Sequence, residues 1–156
     1  MSQGSLKEEE IAELLSGIEN VRLNEEESAV VIVDQTALPG KKDFLELGDA
    51  KALYDAIFEL KVRGAPAIGI CAAYGIFILA KQIQADSGEI FYKKFKEYAE
   101  YLNSSRPTAV NLSWALYRME DVVKANISKT PKEMVFLLRE ESRKIQAEDA
   151  AMCKAI

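Results

Sequence analysis

Two arginine-containing motifs are the strongest candidates for chemistry in this sequence. They are Arg63-Gly64-Ala65-Pro66 and Arg106-Pro107-Thr108-Ala109. Proline is a favourable first residue of a helix, so both motifs predict an arginine directly before a helix start. The backbone N–H groups and the dipole at a helix start favour anions, and a guanidinium group binds phosphate through paired hydrogen bonds. The motifs therefore predict a phosphate site.

Each motif also has a simpler interpretation, which is an ordinary helix start preceded by a solvent-facing arginine. Short patterns of this kind recur by chance. In the first motif, Gly64 and Ala65 have little or no side chain, so a bound anion could contact the backbone. A shared pocket requires that Arg63 and Arg106 approach each other, and their spacing in the sequence leaves this open.

Three other groups of residues are weaker candidates. The segment 34–36, Asp-Gln-Thr, ends an apolar run, where polar residues either line a site or bond to the local turn. Cys71 lies in an apolar stretch and Cys153 on an amphipathic segment, so neither has a visible base to activate it. The glutamates at 8–10 and 25–27 are interpreted as solvated surface rather than metal ligands.

Composition excludes several classes of function. The 156 residues include no histidine, which removes His-based metal sites and the usual general base near neutral pH. A net charge of -5 provides no positive surface for nucleic acid or for anionic lipid. We expect no metal and no cofactor, neither nucleic acid nor a membrane as a partner, and a cytoplasmic location, since the N-terminus is charged rather than apolar.

The elements that position the two motifs follow from periodicity and caps. A helix is predicted over 5–16, then strands over 20–23, 29–34 and 44–47, with a turn at 38–40. Asp49 is predicted to cap a helix that ends before Gly64. Further helices are predicted from Pro66 to about residue 82, from 88 to 102, and after Pro107, and the last one begins at a capping box over 130–133.

These elements predict a mostly α, α+β fold. A small N-terminal antiparallel β-element packs on a bundle of about five helices. Residues 1–48 form the N-terminal helix and β-element, and residues 49–156 form the helical bundle, which together make one N-terminal domain. The apolar helix that begins at Pro66 is expected at the centre of the core, and its uncharged stretch is too short to cross a bilayer. The last helical pattern has no C-cap at Ile156, which suggests a truncated domain.

Taken together, three segments resemble the methylthioribose-1-phosphate isomerase family. They are Val-Asp-Gln-Thr at 33–36, Val-Arg-Gly-Ala-Pro-Ala-Ile-Gly-Ile at 62–70, and Ser-Arg-Pro-Thr-Ala-Val-Asn-Leu at 105–112. The segment 148–156 is similar to the helix that leads out of this region in the family, and the likeness covers roughly residues 19–156.

The resemblance implies an aldose–ketose isomerase of methionine salvage. Its reaction converts S-methyl-5-thio-ribose 1-phosphate to S-methyl-5-thio-ribulose 1-phosphate without metal or nucleotide. By position in the motifs, Arg63, Gly64, Ala65 and Arg106 bind substrate. The catalytic cysteine and aspartate of the family belong to a Rossmann-like C-terminal domain beyond Ile156, so neither Cys71 nor Cys153 inherits that role. We therefore expect this chain alone to be inactive.

Several alternatives remain open on the sequence. The substrate could be ribose 1,5-bisphosphate or another 5-substituted ribose 1-phosphate. Related non-catalytic proteins are regulatory subunits of the initiation factor 2B type, although such a subunit need not retain both Arg63 and Arg106. The chain could also be a folding module that needs its other half. The oligomeric state is open, with a homodimer through the C-terminal domain as one option.

Overall fold

The structure, a computed structural model, describes residues 21–34, 44–59, 61–62 and 65–155. The helix predicted over 5–16 and the turn predicted over 38–40 lie outside these residues. Within them the chain forms a three-stranded sheet and five helices. The predicted α+β fold, in which a small antiparallel β-element accompanies about five helices, is confirmed.

The sheet is antiparallel, with its three strands in sequence order. Strand β1 spans Val21–Leu23, β2 spans Val30–Val33 and β3 spans Phe44–Leu47. Val21 pairs with Ile32, and Val31 pairs with Glu46. All four residues of β2 are buried, because this strand lies in the middle of the sheet and both of its faces are covered. The continuous apolar run of β2 predicted such a strand.

The helices begin close to their predicted capping residues. Helix α1 spans Ala50–Phe58, α2 Ala65–Lys81, α3 Gly88–Asn103, α4 Val110–Ala125 and α5 Pro131–Ala155. Asp49 Oδ1 accepts a hydrogen bond of 2.7 Å from the N–H of Ala52 at the start of α1. At the start of α5, Thr130 Oγ1 accepts one of 3.2 Å from the N–H of Glu133. Each side-chain oxygen accepts from an N–H that has no partner inside its helix.

Helix α2 is the centre of the core. Nearly every residue from Ala67 to Ala80 is buried, and α1, α3, α4, α5 and the sheet all pack around it. This confirms the prediction from its all-round apolar sequence. Among the described residues no helix is both long enough and apolar enough to span a membrane.

The predicted start of one helix needs correction. Helix α4 begins at Val110, not at Pro107, because residues 106–109 form a turn in which the N–H of Ala109 bonds to the carbonyl of Arg106 at 2.9 Å. Pro107 is the second residue of this turn, a position where proline is as favourable as at a helix start.

The turn between β1 and β2 is held against α5 by an ion pair. Glu27, with a φ of 54°, accepts hydrogen bonds of 2.6 and 2.9 Å from Arg139. These bonds hold the pKa of Glu27 below its ordinary value. Glu25 and Glu26 are exposed, as predicted, but the interpretation of Glu27 as solvated surface was wrong. Its partner lies 112 residues away, so no local pattern indicates it.

Candidate functional site

The structure brings the starts of α2 and α4 to one place. A Cβ atom built on Gly69 in α2 would lie 3.5 Å from the carbonyl oxygen of Asn111 in α4. Such a Cβ would make an ordinary van der Waals contact, so the two helices pack against each other within one or two turns of their first residues.

A cavity of about 420 Å³ lies at this meeting point. Helices α2 and α4 each contribute three residues to its lining. These are Pro66, Gly69 and Ile70 from α2, and Val110, Asn111 and Trp114 from α4. The two predicted motifs thus lead into helices that share one cavity.

The predicted site residues themselves are described unequally. Arg63 and Gly64 lie outside the described residues, and Ala65 is the first residue of α2. Arg106 is partly exposed in the turn before α4. Substrate binding by these four residues stays a prediction.

Arg106 differs from the other arginines in the described part of the chain. Arg118, Arg139 and Arg143 form ion pairs, and the guanidinium of Arg22 lies over the ring of Phe44. Arg106 makes no ion pair and no side-chain hydrogen bond with any described residue. Its guanidinium group is therefore available to a ligand.

The start of α4 is also unlike the other described helix starts. Helices α1, α3 and α5 have a side-chain oxygen as N-cap, from Asp49, Ser87 and Thr130. Helix α4 has Ala109 at this position and no side-chain cap. The first N–H groups of α4 therefore lack a side-chain acceptor, close to the uncommitted Arg106, and this combination favours an anion.

Helix α5 provides the third wall of the cavity through Ile145, Glu148 and Asp149. Glu148 is bound to Arg118 of α4 by two hydrogen bonds of 2.8 and 2.6 Å. Arg118 also donates to Glu141 at 2.6 Å, and its guanidinium lies 5.4 Å from the ring centroid of Trp114. We call Arg118, Glu141 and Glu148 the Arg118 cluster. It fixes α4 against α5 and holds the Trp114 side of the cavity in place.

Asp149 faces the same cavity without such a partner. Its Oδ2 atom is shielded from solvent and has no hydrogen bond to any described residue. Burial raises the pKa of Asp149 above its ordinary value of 3.8. The carboxyl group is therefore more easily protonated than an exposed aspartate.

The remaining sequence candidates are less suited to binding or catalysis. Asp34 follows β2, whereas residues 35 and 36 lie outside the described part. Cys71 is fully buried in α2, and burial raises the pKa of its thiol to about 12. This agrees with the prediction that it is an inert core residue. No group of three or more His, Cys, Asp or Glu in the described residues could hold a metal ion.

A second groove, of about 540 Å³, lies on the other side of Trp114. Its charged lining consists of Arg118, Asp121 and Glu141. The arginine is already engaged by Glu141, so the groove offers an anion an excess of negative charge. The cavity between the starts of α2 and α4 is also lined by carboxylates, those of Glu148 and Asp149. It is the better candidate for a phosphate because it includes the first residues of α4, whose N–H groups have no side-chain cap.

Sequence reasoning did not single out the α5 wall of the cavity. Glu148 and Asp149 were noted only as part of the last helical segment. A signal was present, since residues 145, 148 and 149 have the i, i+3, i+4 spacing of one helix face. Two acidic residues beside the buried Ile145 could have indicated a polar site at that position.

The chain is similar in sequence and in fold to known proteins. The sequence pattern of the Initiation factor 2 subunit family matches residues 61–156. A protein from Clostridium botulinum (strain Kyoto) named 5-deoxyribose 1-phosphate isomerase is 46% identical over 146 residues, which is 94% of this chain. A protein from Parabacteroides distasonis named methylthioribose-1-phosphate isomerase is 48% identical over 136 residues, or 87% of the chain. The chain spans 41% of the length of each of these relatives.

Two solved structures are similar to the chain, each over 83% of its length and 36% of their own, with 32% sequence identity. One is 5-methylthioribose 1-phosphate isomerase from Pyrococcus horikoshii, with a TM-score of 0.77. The other is subunit delta of translation initiation factor eIF-2B from A. fulgidus, with a TM-score of 0.73. The fold is thus similar to that of both an isomerase and a translation factor subunit.

Proposed function

The chain belongs to the Initiation factor 2 subunit family, and from this premise we propose that its three-helix cavity binds the phosphate end of a 5-substituted ribose 1-phosphate. The domain then acts as the substrate-binding part of an aldose–ketose isomerase. The observation that carries the proposal is an α4 start without a side-chain cap, preceded by Arg106, which no described residue engages and which lies four residues before Val110 of the cavity wall.

We place the phosphate at the start of α4, where backbone N–H groups and Arg106 can bind it. A phosphoryl group at the start of α4 accepts hydrogen bonds from the free N–H groups and from Arg106. Arg63 is three residues before Pro66, a cavity residue, so the covalent chain alone keeps its Cα within about 11 Å of Pro66. The proposal assigns Arg63, Gly64 and Ala65 to the same phosphate from the α2 side.

The sugar is proposed from the names of the relatives. The 5-deoxyribose and methylthioribose 1-phosphates in those names differ only in the substituent at carbon 5. We favour S-methyl-5-thio-ribose 1-phosphate, which would make the protein an enzyme of methionine salvage, with the 5-deoxy sugar as the competing substrate. Which of the two is the substrate depends on how well the site accommodates the substituent at carbon 5.

The chain alone is proposed to bind this substrate without converting it. Isomerisation requires a base that removes a proton from carbon, and the sequence contains no histidine. Cys71 is sealed in the core. A turnover assay on the purified chain should therefore show only background conversion. Catalysis well above background that is abolished by Arg106→Ala would contradict this part of the proposal.

Binding can be measured through Trp114, the one tryptophan of the sequence and a residue of the cavity wall. The chain is titrated with methylthioribose 1-phosphate, with 5-deoxyribose 1-phosphate and with inorganic phosphate while tryptophan fluorescence is recorded. We expect saturable binding that Arg106→Ala weakens at least tenfold, since a charge-assisted hydrogen bond contributes about 1.5–3 kcal/mol.

The matched control is Arg22→Ala, which removes the same charge on the sheet, beside Phe44. We expect its affinity to stay within about twofold of the wild type, since exposed charges at a distance are screened by salt. Equal losses in both variants would show a general charge effect and would contradict a phosphate site at the start of α4. Absence of any binding by the wild-type chain would refute the proposal outright.

A regulatory role of the initiation factor 2B type is the second candidate. Its support is the TM-score of 0.73 to the delta subunit from A. fulgidus, at the same 32% identity as the isomerase structure. A pulldown with initiation-factor subunits separates the two functions. Stable capture of those subunits without any sugar-phosphate binding would favour the regulatory role.

A further inference from the structure

The α5 wall of the cavity presents two carboxylates to a site whose other end is suited to an anion. Glu148 is neutralised there by its two hydrogen bonds to Arg118. Asp149 is adjacent in sequence and lines the same cavity, but no described residue satisfies its Oδ2 atom. Glu148 is thus paired within the protein, whereas the Oδ2 atom of Asp149 has no described partner and can accept a hydrogen bond from a ligand.

An unsatisfied buried oxygen is unfavourable in the ligand-free protein. Burial of a polar group without a hydrogen bond costs about 1–3 kcal/mol, and native proteins have few such groups. A polar group of this kind at the wall of a cavity persists most readily where a ligand completes its hydrogen bonds. Asp149 therefore has the properties of a binding residue rather than those of a structural one.

The residues around Asp149 limit which kind of ligand group can bond to it. A second anion is not favoured, because the ionised carboxylate of Asp149 would repel it. A metal ion is not favoured, since Glu148 is already bound to Arg118 and no metal-binding group exists among the described residues. A neutral hydroxyl group fits, because it can donate to a carboxylate or accept from a protonated carboxyl.

We propose that Asp149 recognises a sugar hydroxyl of the ligand whose phosphate lies at the start of α4. This inference rests on the proposed function and extends it by naming the residue that distinguishes a sugar phosphate from phosphate alone. The raised pKa of Asp149 supports it, since a carboxyl group that is easily protonated tolerates a nearby phosphate better than a fixed negative charge.

The test compares two ligands and two substitutions at this position. Asp149→Leu keeps the branched shape and removes all hydrogen bonding, whereas Asp149→Asn keeps an acceptor and a donor. Affinities for 5-deoxyribose 1-phosphate and for inorganic phosphate are measured by Trp114 fluorescence and by calorimetry. Asp121→Asn is the control, since Asp121 is an exposed carboxylate of the neighbouring groove.

We expect Asp149→Leu to weaken sugar-phosphate binding about tenfold, which corresponds to about 1.4 kcal/mol. Affinity for inorganic phosphate should stay unchanged, and Asp149→Asn should retain sugar binding within about threefold. The melting temperature of the ligand-free Asp149→Leu protein should equal or exceed that of the wild type, because an unsatisfied oxygen has been removed. Asp121→Asn should alter none of these quantities.

Three outcomes would overturn the inference. Asp149→Leu could bind the sugar phosphate as tightly as the wild type, it could lose both ligands equally, or it could melt at a lower temperature, which would indicate a structural role. If the wild type binds and Arg106→Ala weakens it, but Asp149→Leu does not, this inference alone fails. If the wild type binds neither ligand, the proposed function fails, and this inference fails with it.

Discussion

The Arg118 cluster allows the position of α4 against α5 to be tested directly. Arg118 is 22% exposed and bonds at 2.6 Å to Glu141, which is 18% exposed. Glu148 is 56% exposed and is held by two bonds. The substitution Arg118→Met keeps most of the side-chain volume and removes the charge and the donors.

The expected loss of stability comes from three contributions. The charge-assisted bond to the largely buried Glu141 contributes about 1.5–3 kcal/mol, and the more exposed pair with Glu148 contributes up to about 1 kcal/mol. The contact of Arg118 with the Trp114 ring contributes about 0.5–1 kcal/mol. Since such terms are not additive, we expect a net loss of about 3 kcal/mol. The melting temperature then falls by roughly 6–12 °C.

The assay is urea unfolding followed by circular dichroism, with Lys51→Ala as the control. Lys51 bonds to Asp55 at the same distance of 2.6 Å, but the lysine is 81% exposed, so its loss should have little effect on stability. A double-mutant cycle of Arg118→Met with Glu141→Gln should give a coupling of about 1–2 kcal/mol. If Arg118→Met costs no more than Lys51→Ala, or if the cycle is additive, the Arg118 cluster does not fix α4 to α5.

The ion pair of Arg118 with Glu148 should make the stability of the fold depend on pH. Hydrogen bonds from Arg118 hold the pKa of Glu148 below its ordinary value of 4.5. A carboxylate whose pKa is lower in the folded state contributes stability above its unfolded pKa and loses it as the pH falls through the folded pKa. The stability difference between wild type and Arg118→Met should therefore narrow below pH 4.5. A difference that stays constant down to pH 2 would contradict an ionic contribution.

Three further predictions concern other parts of the fold. Gly88→Ala should lower the free energy of unfolding in urea by about 3 kcal/mol, because its Cβ would lie 1.8 Å from a backbone carbonyl oxygen. Gly69→Ala, whose Cβ would lie 3.5 Å from its nearest atom, should be neutral or slightly stabilising. Equal effects of the two substitutions would contradict these contacts. Asp149→Asn should be more stable than the wild type by about 1 kcal/mol at neutral pH. This gain should disappear as the pH falls to 3.8, because the raised pKa of Asp149 means that the folded wild type is destabilised only while the carboxylate is ionised. A gain that does not depend on pH would refute a buried carboxylate. In a Cys153→Ser background, Cys71 should react with a thiol reagent at pH 8 only as fast as the protein unfolds, since its thiol is buried and has a pKa of about 12; rapid labelling of the native state would show that it is accessible.

The sequence by itself determined the elements and most of their boundaries. Asp49 and Thr130 cap helices as their spacing to the next residues predicts, and β3 has the predicted bounds. These features depend on hydrogen bonds across three or four residues, so a local pattern contains the information. The all-round apolar character of α2 likewise determined that it is the centre of the core.

The start of α4 shows where local patterns are insufficient. Pro107 is compatible with a helix start and with a turn, and the sequence favoured the helix. The structure has the turn, with Arg106 and Ala109 at its ends. Arg106 has no side-chain partner in the part of the chain that the structure describes, and α4 has no side-chain cap. Both properties make this position a candidate anion site, and neither could be assigned before the helix boundary was known.

Only the tertiary structure decided that the two motifs lead to one cavity. Gly69 and Asn111 are 42 positions apart in the sequence, yet α2 and α4 approach within van der Waals distance at these residues. Asp149 reaches the same cavity from α5, a further 38 positions along the chain. Helix packing sets these distances, and it depends on the combined shape of all the side chains between the helices rather than on any local spacing. Residue types thus indicated which groups can bind a phosphate, and packing determined which of them meet.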